Sequence, residues 1–461
     1  MTRIKSSTLC GSAMLWLMAA LSAPAQAGND AMMQLIEIMY KKGSISAEEY
    51  RSLKIAAAAD EEKNEAAQAE VEEKVKDMPK IETRGKFKVS SADGDWSWQP
   101  IGRVMADYNL VNSDINKIGS EPFIRRARLG FEGSMFGNWI YKLEMDFAGN
   151  GTSMKDGFIG YKSGNSWVKF GQSHIPFGLA TLSSSKYMSF IERPFLADGP
   201  LQPARQLGVA AFTRGGNDRW TLHAGVFGAE QGGQPSGGGI DDELNIAARG
   251  TFVPLMRDKN HLMAVGAGIW YRKLVDRTLR VRQRPGIFRT ADRFVDANFG
   301  AAADDTLGLN VEAAAVYGSF GFKSEYSRMT VNSALAGVPD ADLDGYYAET
   351  SYFLTGESPK YDTGKAQFGS VAPNSVVGKG GYGGWQVAVR YDKLDLNDAV
   401  GVLGAGSGGA QEALTAGVNW YVNKNMRFMA NYIYTLDMNR PGSAFDGDEP
   451  HGLSFRGQVY W

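Results

Sequence analysis

The feature that most constrains this chain is a two-residue alternation of apolar and charged side chains between residues 126 and 147. The segment 126–132 alternates Ala, Leu and Phe with Arg, Arg and Glu, and the segment 141–147 repeats the pattern after a short polar turn. Because successive side chains of a strand point to opposite faces, these segments predict a hairpin with one apolar and one charged face. A soluble sandwich also alternates in this way. Charges of both signs opposite an aromatic-rich face favour a membrane barrel with a wet lumen.

The N-terminal residues predict secretion. Residues 1–27 combine a basic start at Arg3 and Lys5 with the apolar run 9–21 and a small-residue cleavage motif that ends at Ala27, as a signal peptide does. Cys10 lies within this segment, so a disulfide or a thiolate metal site is not expected in the mature protein. No other stretch reaches 18 apolar residues, and no transmembrane helix is predicted. The protein is therefore expected to be a periplasmic protein, an extracellular protein or an outer-membrane β-barrel.

Residues 28–80 are predicted to form a helical segment. Ser46 and Glu49 have the spacing of a capping box, and the segment 56–77 is rich in Ala, Glu, Lys and Gln. Val71 and Val75 could begin a coiled coil, but a loosely ordered, charged helix explains the same composition. We therefore divide the chain into a signal peptide (1–27), an N-terminal helical or coiled-coil segment (28–80) and a barrel (81–461).

Sixteen strands can be placed between residue 95 and residue 461. Connections after odd-numbered strands are mostly long and those after even-numbered strands mostly short, with exceptions at 149–153 and 356–381. An even number of strands with short turns at one end and long loops at the other is typical of outer-membrane barrels. A propeller would show a repeated blade motif, which the sequence lacks. Apolar and polar side chains alternate along the last predicted strand, which ends with the aromatic residue Trp461.

Several stretches also carry a family resemblance: Phe123–Gly133, Lys142–Phe147, Gly171–Gly178, Leu182–Met188 and Phe190–Arg193. In these stretches the chain resembles the phosphate-selective porin family (porins O and P). The resemblance covers about residues 81–461 and is most specific between 123 and 209. It implies a homotrimeric, 16-stranded antiparallel transmembrane β-barrel, an inward-folded third loop, and passage of inorganic anions such as phosphate or polyphosphate.

Charged residues on the polar face of the strands are predicted to line the lumen, since a charge on the lipid face costs about 2–4 kcal/mol at the membrane midplane. The basic members form a candidate wall ladder: Arg103, Arg126, Arg128, Lys142, Lys169, Arg249 and Arg390. Rings of Arg and Lys make pores favour anions, and Arg can hold a tetrahedral oxyanion through two hydrogen bonds. A wet lumen of paired charges, without selectivity, remains the alternative.

The connection 174–204 is the candidate constriction. It is too long to stay outside the barrel without packing of its own, and its apolar residues could anchor it against the inner wall. Lys186, Arg193 and Arg205 are then predicted to bind anions at the narrowest point, although Glu192 could neutralise one of them.

The connection 273–303 is rich in arginine and is the candidate mouth funnel. Its basic residues outnumber its acidic ones. A cluster of this sign could raise the local anion concentration, whereas a solvated surface loop would need no such role. The funnel residues are Arg277, Arg280, Arg282, Arg284 and Arg289.

Other functions have weak support in the sequence. The four histidines are scattered, no phosphate-binding loop follows the required spacing, and we expect neither an enzyme, a cofactor, a metal nor a nucleic-acid partner. The predicted surroundings are the lipids of the outer membrane of a Gram-negative bacterium. Basic and acidic residues are nearly balanced within the barrel, so a general or weakly cation-preferring porin stays open. A barrel enzyme or adhesin is a further alternative.

Overall fold

A computed structural model describes residues 24–83, 85–149, 151–197, 199–228, 244–274, 279–287 and 290–461. Most of the predicted signal peptide, residues 1–23, lies outside this part of the chain. The chain divides into two compact units, one formed by residues up to 80 together with 91–93, and the other by residues 81–90 and 94–461.

The first unit is helical. Helix α1 spans Pro24–Lys41 and helix α2 spans Ala47–Lys76. The predicted capping box is confirmed, because Ser46 Oγ accepts the Glu49 N–H at 3.2 Å and Glu49 Oε2 accepts the Ser46 N–H at 2.7 Å. The rings of Tyr40 and Tyr50 stack at 4.4 Å where the two helices meet. Neither helix has the length and apolar content needed to cross a membrane.

The second unit is a closed barrel. Within the described residues, sixteen strands pair antiparallel with their neighbours in sequence order, and the last strand pairs with the first. The strands outside this set are the short β1 and β2 and two small hairpins. In chain order the strands are β1 (Lys80–Glu82), β2 (Lys88–Ser90), β3 (Ser97–Asn112), β4 (Pro122–Met135), β5 (Trp139–Asp146), β6 (Ser153–Ser163), β7 (Ser166–His174), β8 (Arg205–Gly215), β9 (Trp220–Phe227), β10 (Asn245–Asp258), β11 (His261–Lys273), β12 (Leu279–Gln283), β13 (Val295–Gly300), β14 (Ala303–Tyr317), β15 (Phe320–Ser333), β16 (Ala341–Phe353), β17 (Tyr361–Asp362), β18 (Gln367–Phe368), β19 (Gly384–Asp395), β20 (Ala410–Tyr421), β21 (Met426–Asn439) and β22 (His451–Tyr460). Short helices α3 (Leu179–Leu182) and α4 (Val400–Leu403) lie in two of the loops, the second after a 3-10 turn (Asn397–Ala399).

The barrel confirms the predicted 16-stranded antiparallel fold. Its strands are β3–β11, β14–β16 and β19–β22, and β22 closes the sheet through ten residue pairs with β3, from His451 opposite Asn112 to Tyr460 opposite Arg103. Both ends of the barrel sequence and most short turns lie at one end, which we call the short-turn end. Most of the longer connections lie at the opposite end, which we call the long-loop end.

Alternating side chains divide the wall into an apolar outer face and a charged inner face. Leu129 and Val209 point outward and are 54% and 45% exposed, whereas Arg103 and Arg456 point inward and are buried. This arrangement follows from solvation, because a charge facing lipid would lose its water. The interior is filled further by loops, whose buried apolar residues form a cluster inside the barrel.

The closing strand gives a first prediction. Gly102 and Trp461 exchange backbone hydrogen bonds at 3.2 Å, and the indole covers Gly102 so closely that an added Cβ would lie 2.2 Å from the ring. Replacing Trp461 with aspartate should therefore lower the amount of folded barrel in the membrane several-fold without altering signal cleavage. Heat-modifiable migration on gels measures this, with Trp461→Phe as the control. Normal yield of Trp461→Asp would contradict the prediction.

Candidate functional site

The third loop, residues 175–204, lies inside the barrel, as the sequence predicted. Its apolar side chains are almost completely buried: Ile175, Phe177, Leu179, Phe190, Leu196 and Leu201. These side chains pack against the wall and against other inward segments. The loop therefore occupies part of the lumen and narrows it.

The beginning of the third loop is attached to the wall by the carboxylate of Glu325 in β15. This carboxylate accepts hydrogen bonds from two backbone groups and three side chains: the N–H of Leu179 (2.8 Å), the N–H of Ala180 (2.6 Å), Gln202 Nε2 (2.9 Å), Asn310 Nδ2 (3.2 Å) and the Tyr347 hydroxyl (2.8 Å). Glu325 is 2% exposed, so these bonds form away from bulk water and are costly to leave unmade.

The second half of the third loop is attached farther along the wall, to strands β19, β21 and β22. The Ile191 N–H donates to Asn431 Oδ1 at 2.7 Å, and Arg456 Nη1 donates to the Ile191 carbonyl at 2.7 Å. Arg390 Nη1 donates to the Glu192 carbonyl at 3.0 Å. With Glu325 holding its start, the loop is attached to the wall at several places between β15 and β22.

The described part of the fifth loop, residues 274, 279–287 and 290–302, also folds inward around the β12–β13 hairpin. Phe294, Val295 and Ala297 are completely buried in the same apolar cluster as Leu196 of the third loop. Gln283 Nε2 donates to the Phe195 carbonyl at 2.9 Å. The segment is thus packed against the third loop, and a purely solvated surface loop does not describe it.

The predicted funnel residues are dispersed over this fifth loop. Arg277 and Arg289 lie outside the described residues. Arg280 Nε donates to Asp296 at 2.7 Å on the exposed side of the hairpin. Arg282 is exposed, and Arg284 lines a cavity between the third and fifth loops.

A long segment at the short-turn end, residues 354–383, enters the barrel as well. Tyr361 and Ala366 are buried against Leu179 of the third loop. The Ala366 carbonyl accepts a hydrogen bond from Arg249 Nη2 at 2.8 Å. The lumen is therefore narrowed from both ends. In the sequence this segment stood out only as a long connection on the side where the other turns are short.

A vestibule of about 880 Å³ opens between the third loop, the fifth loop and strands β4–β6. Basic and acidic side chains line it: Arg125, Lys155, Arg193, Arg284, Asp146 and Glu192. Glu192 lies at its floor and accepts two hydrogen bonds from Arg125, at 2.7 and 2.9 Å. Burial alone would raise the pKa of the Glu192 carboxyl, but Arg125 and the nearby Arg126 and Arg456 lower it to about 2.

Arg125 is a lining residue that the alternation did not identify. A bulge between Met105 and Ala106 in the pairing of β3 with β4 adds one residue to β4, so that Arg125 and Arg126 both turn inward. Two adjacent arginines in a strand were the available signal, because strict alternation would place one of them in lipid.

The structure separates the three predicted constriction residues. The Lys186 ammonium lies 5.5 Å from the ring centroids of both Tyr187 and Tyr460. Arg205 Nε donates to Asp156 at 2.7 Å. Lys186 and Arg205 both interact electrostatically with Arg103. Arg103 in turn donates a hydrogen bond to Ser185 Oγ at 3.0 Å.

Arg193, the third of these residues, lies on the vestibule side, where it donates to the Ala180 carbonyl.

Most of the wall ladder is paired with carboxylates. The pairs are Arg103–Glu144 (2.7 Å), Arg128–Asp146 (2.8 Å), Lys142–Asp156 (2.8 Å), Arg249–Glu312 (2.9 Å through Nε) and Arg390–Asp392 (2.6 Å). Pairing of this kind lowers the net field in the lumen but keeps the side chains in fixed positions.

Two members of the wall ladder differ from the rest. Arg126 is 2% exposed, and its Nη1 lies 3.6 Å from Met105 Sδ. The Lys169 ammonium lies over the rings of Phe158 and Trp167. Within the part of the chain that the structure describes, neither side chain has a carboxylate at salt-bridge distance, and the same is true of Lys186.

Comparison with known proteins agrees with this architecture. A model of the family described as "Phosphate-selective porin O and P" matches residues 100–461. An uncharacterized protein of Caulobacter vibrioides is 30% identical over 376 residues, which cover 79% of this chain and 73% of the relative. Porin O of Pseudomonas aeruginosa is 29% identical over 389 residues, which cover 77% of this chain and 86% of the relative.

Two solved structures are similar in fold. An anion-selective porin from Comamonas acidovorans has a TM-score of 0.53 at 13% identity and covers 79% of this chain and 100% of its own. A loop-deletion mutant of OmpT, an outer membrane protein of Vibrio cholerae, has a TM-score of 0.52 at 14% identity, with coverages of 80% and 100%. At these identities the likeness concerns the fold alone.

Proposed function

Since the chain belongs to the phosphate-selective porin O and P family and is therefore a channel of the Gram-negative outer membrane, we propose that phosphate and polyphosphate are the anions that diffuse through it. The short-turn end then faces the periplasm and the long-loop end the exterior. Diffusion through this lumen is passive, and no catalytic step takes part in it.

One observation carries the proposal: three cations of the lumen have no carboxylate at salt-bridge distance among the described residues. Arg126 lies in β4 next to Arg125, which is the residue that pairs with Glu192 at the vestibule. Lys186 lies in the third loop near Arg103 of β3, and Lys169 lies in β7 near the turn at Gly164 and Asn165. Several weak sites in series allow an anion to enter and to leave, whereas one strong site would trap it.

The test is electrical. Purified channels in planar bilayers should give a reversal potential of anion-selective sign across a KCl gradient, and added phosphate should block the chloride current. A cation-selective reversal potential would overturn the proposal.

A general or weakly cation-preferring porin is the competing function. It is favoured by the carboxylate pairing of most wall cations, for example Lys142 and Arg205 on the shared Asp156 at 2.8 and 2.7 Å. Paired charges leave little net electrostatic field in the lumen. A porin of this kind should therefore show no block of the chloride current by added phosphate.

We also propose a homotrimer, the assembly that the family resemblance implies. Crosslinking in outer-membrane vesicles should give a species of three chains. Monomer alone after crosslinking would contradict it, without bearing on selectivity.

The pH dependence of selectivity provides a further prediction. Burial in the third loop, together with the nearby Arg103 and Lys142, lowers the pKa of the Lys186 ammonium to about 8. A lowered pKa means that this lysine is charged at neutral pH and loses its charge as the pH rises through about 8. Anion selectivity measured in KCl should therefore fall between pH 7 and pH 9.

The matched variant for this prediction is Lys186→Arg, since a guanidinium remains charged over the whole range. Its reversal potential should change less between pH 7 and pH 9 than that of the wild-type channel. If the wild-type channel and Lys186→Arg show the same pH profile, another group governs the change.

A further inference from the structure

An aromatic patch lies on the lumen face close to the periplasmic turns. It consists of Phe158 in β6, Trp167 in β7, Phe212 in β8 and His223 in β9. Trp167 is paired in register with Phe212, and Phe212 with His223, so three of the four rings sit side by side on neighbouring strands. All four side chains are half-buried.

The rings of the patch are ordered. Trp167 and Phe212 are nearly parallel, with 5.3 Å between centroids and 9° between planes. The His223 imidazole meets both edge-on, at 5.1 and 5.8 Å. An array of this kind presents a continuous apolar surface in a lumen that charged side chains otherwise line.

Lys169 places a positive charge on this patch. Its ammonium lies 3.9 Å from the Trp167 centroid and 4.4 Å from the Phe158 centroid, and its strand neighbours Val168 and Phe170 point outward. No carboxylate of the described residues reaches it at salt-bridge distance. Rings hold the ammonium in position but leave it available to an anion.

His223 adds a polar atom to the same place. Its Nε2 is buried and has no hydrogen-bond partner among the described residues. The charged groups that act on His223 are Lys169 and Arg249, both cationic. A ligand that brings an acceptor or a hydroxyl close to the ring would satisfy this atom.

We propose that the aromatic patch and Lys169 form a second binding site, on the periplasmic side of the third loop, for phosphate monoesters that carry a ring. The proposal rests on the function proposed above and specifies a class of substrate for it. The phosphate pairs with the Lys169 ammonium, the ring packs against the exposed sides of Trp167 and Phe212, and His223 Nε2 completes the hydrogen bonding. Inorganic phosphate uses only the ammonium.

The apolar surface decides this ligand class. Rings in contact with water gain by being covered, whereas inorganic phosphate covers none of them. A ring fixed to the phosphate covers them while the charge remains on Lys169. Aryl and pyranose rings both present an apolar face of suitable shape, so the shared chemistry is a ring-bearing phosphate monoester.

The experiment measures block of chloride current by compounds added from the periplasmic side of single channels in a planar bilayer. The probes are phenyl phosphate, glucose 6-phosphate, glycerol 3-phosphate (a monoester without a ring) and inorganic phosphate. In the wild-type channel the ring-bearing esters should block at about three- to tenfold lower concentrations than glycerol 3-phosphate, the range that ring contacts give. Stronger block by phenyl phosphate assigns aryl esters, and stronger block by glucose 6-phosphate assigns sugar phosphates.

Replacing Trp167 with leucine should remove this difference, so that the ring-bearing esters block the variant no more strongly than glycerol 3-phosphate does. Lys169→Met should weaken block by both ring esters, whereas Lys323→Met is the matched control, since Lys323 also lies near a ring but is paired with Glu349 at 2.8 Å. If the Trp167→Leu channel is still blocked more strongly by the ring-bearing esters than by glycerol 3-phosphate, the proposed site is wrong. It is also wrong if this variant loses block by all four probes equally. Absence of block by any phosphate in the wild-type channel overturns the proposed function instead.

Discussion

Replacing Glu325 with alanine is expected to raise the single-channel conductance and to make the open-channel current noisier. The substitution removes the acceptor shared by the Leu179 and Ala180 N–H groups and by Gln202 Nε2. Each buried donor left without a partner costs about 1–3 kcal/mol. The loop can avoid this cost by leaving its fixed position in the constriction so that these N–H groups reach water, and a displaced, mobile loop narrows the lumen less on average.

The matched control is Glu349→Ala. Glu349 is a buried carboxylate of the inner wall, but it pairs with Lys323 of the neighbouring strand at 2.8 Å rather than with the third loop. Its removal should change conductance much less. Glu325→Gln should be intermediate, because an amide keeps one oxygen acceptor and places a donor against the remaining N–H groups.

Folded Glu325→Ala channels with wild-type conductance would contradict this expectation. The apolar contacts of Phe177, Phe190 and Leu196 would then be sufficient to hold the loop.

The division of the wall into faces could be predicted because solvation acts on every strand separately. Leu129 and Phe131 turn to lipid and Arg128 to water whichever strands pair with theirs. The inward course of the third loop could be predicted for a similar reason, since Ile175, Phe177 and other apolar residues need a core. These conclusions depend on local composition, which a sequence contains.

The partners of the lumen charges could not be predicted, because they depend on register and shear between strands. Asp156 in β6 joins Lys142 in β5 to Arg205 in β8, across residues far apart in sequence. The bulge that turns Arg125 inward is also a property of the paired strands. Alternation therefore identified the cations of the wall ladder, but not which of them keep an uncompensated charge.

The fifth loop illustrates a different limit. Its arginines suggested either an electrostatic funnel or a solvated surface loop, yet Phe294 and Val295 are buried in the apolar cluster beside the third loop. Basic residues on one side of a hairpin and apolar residues on the other give the same composition as a charged coil. Only the packed hairpin shows that Arg280 faces outward while Arg284 reaches the vestibule.

Replacing Lys186 with glutamate is expected to have the largest effect on selectivity, ahead of charge reversal at Arg126 or Arg128. The ammonium lies 5.5 Å from the ring centroids of both Tyr187 and Tyr460 and is near Arg103. At this depth the third loop excludes part of the water, so a unit charge acts through a lower effective dielectric than in the vestibule. No described carboxylate is paired with Lys186, and the substitution therefore reverses a charge without breaking an ion pair.

The expected magnitude follows from charge-assisted hydrogen bonding. A bond to a charged group contributes about 1.5–3 kcal/mol, so its loss should raise the phosphate concentration that half-blocks the chloride current about 10-fold or more. Lys186→Gln separates the loss of the charge from its reversal and should give an intermediate reversal potential. Circular dichroism or gel migration of each variant controls for folding.

The comparison that decides between the third loop and the outer arginines is Arg280→Glu. Arg280 is also basic and belongs to an inserted loop, but its side chain is 45% exposed and is paired with Asp296. Salt screens such a charge over about 10 Å at 0.1 M ionic strength, so its reversal should move the reversal potential little. If Arg280→Glu and Lys186→Glu shift it equally, or if only Arg280→Glu does, the arginines of the fifth loop are the filter and the constriction at Lys186 is not.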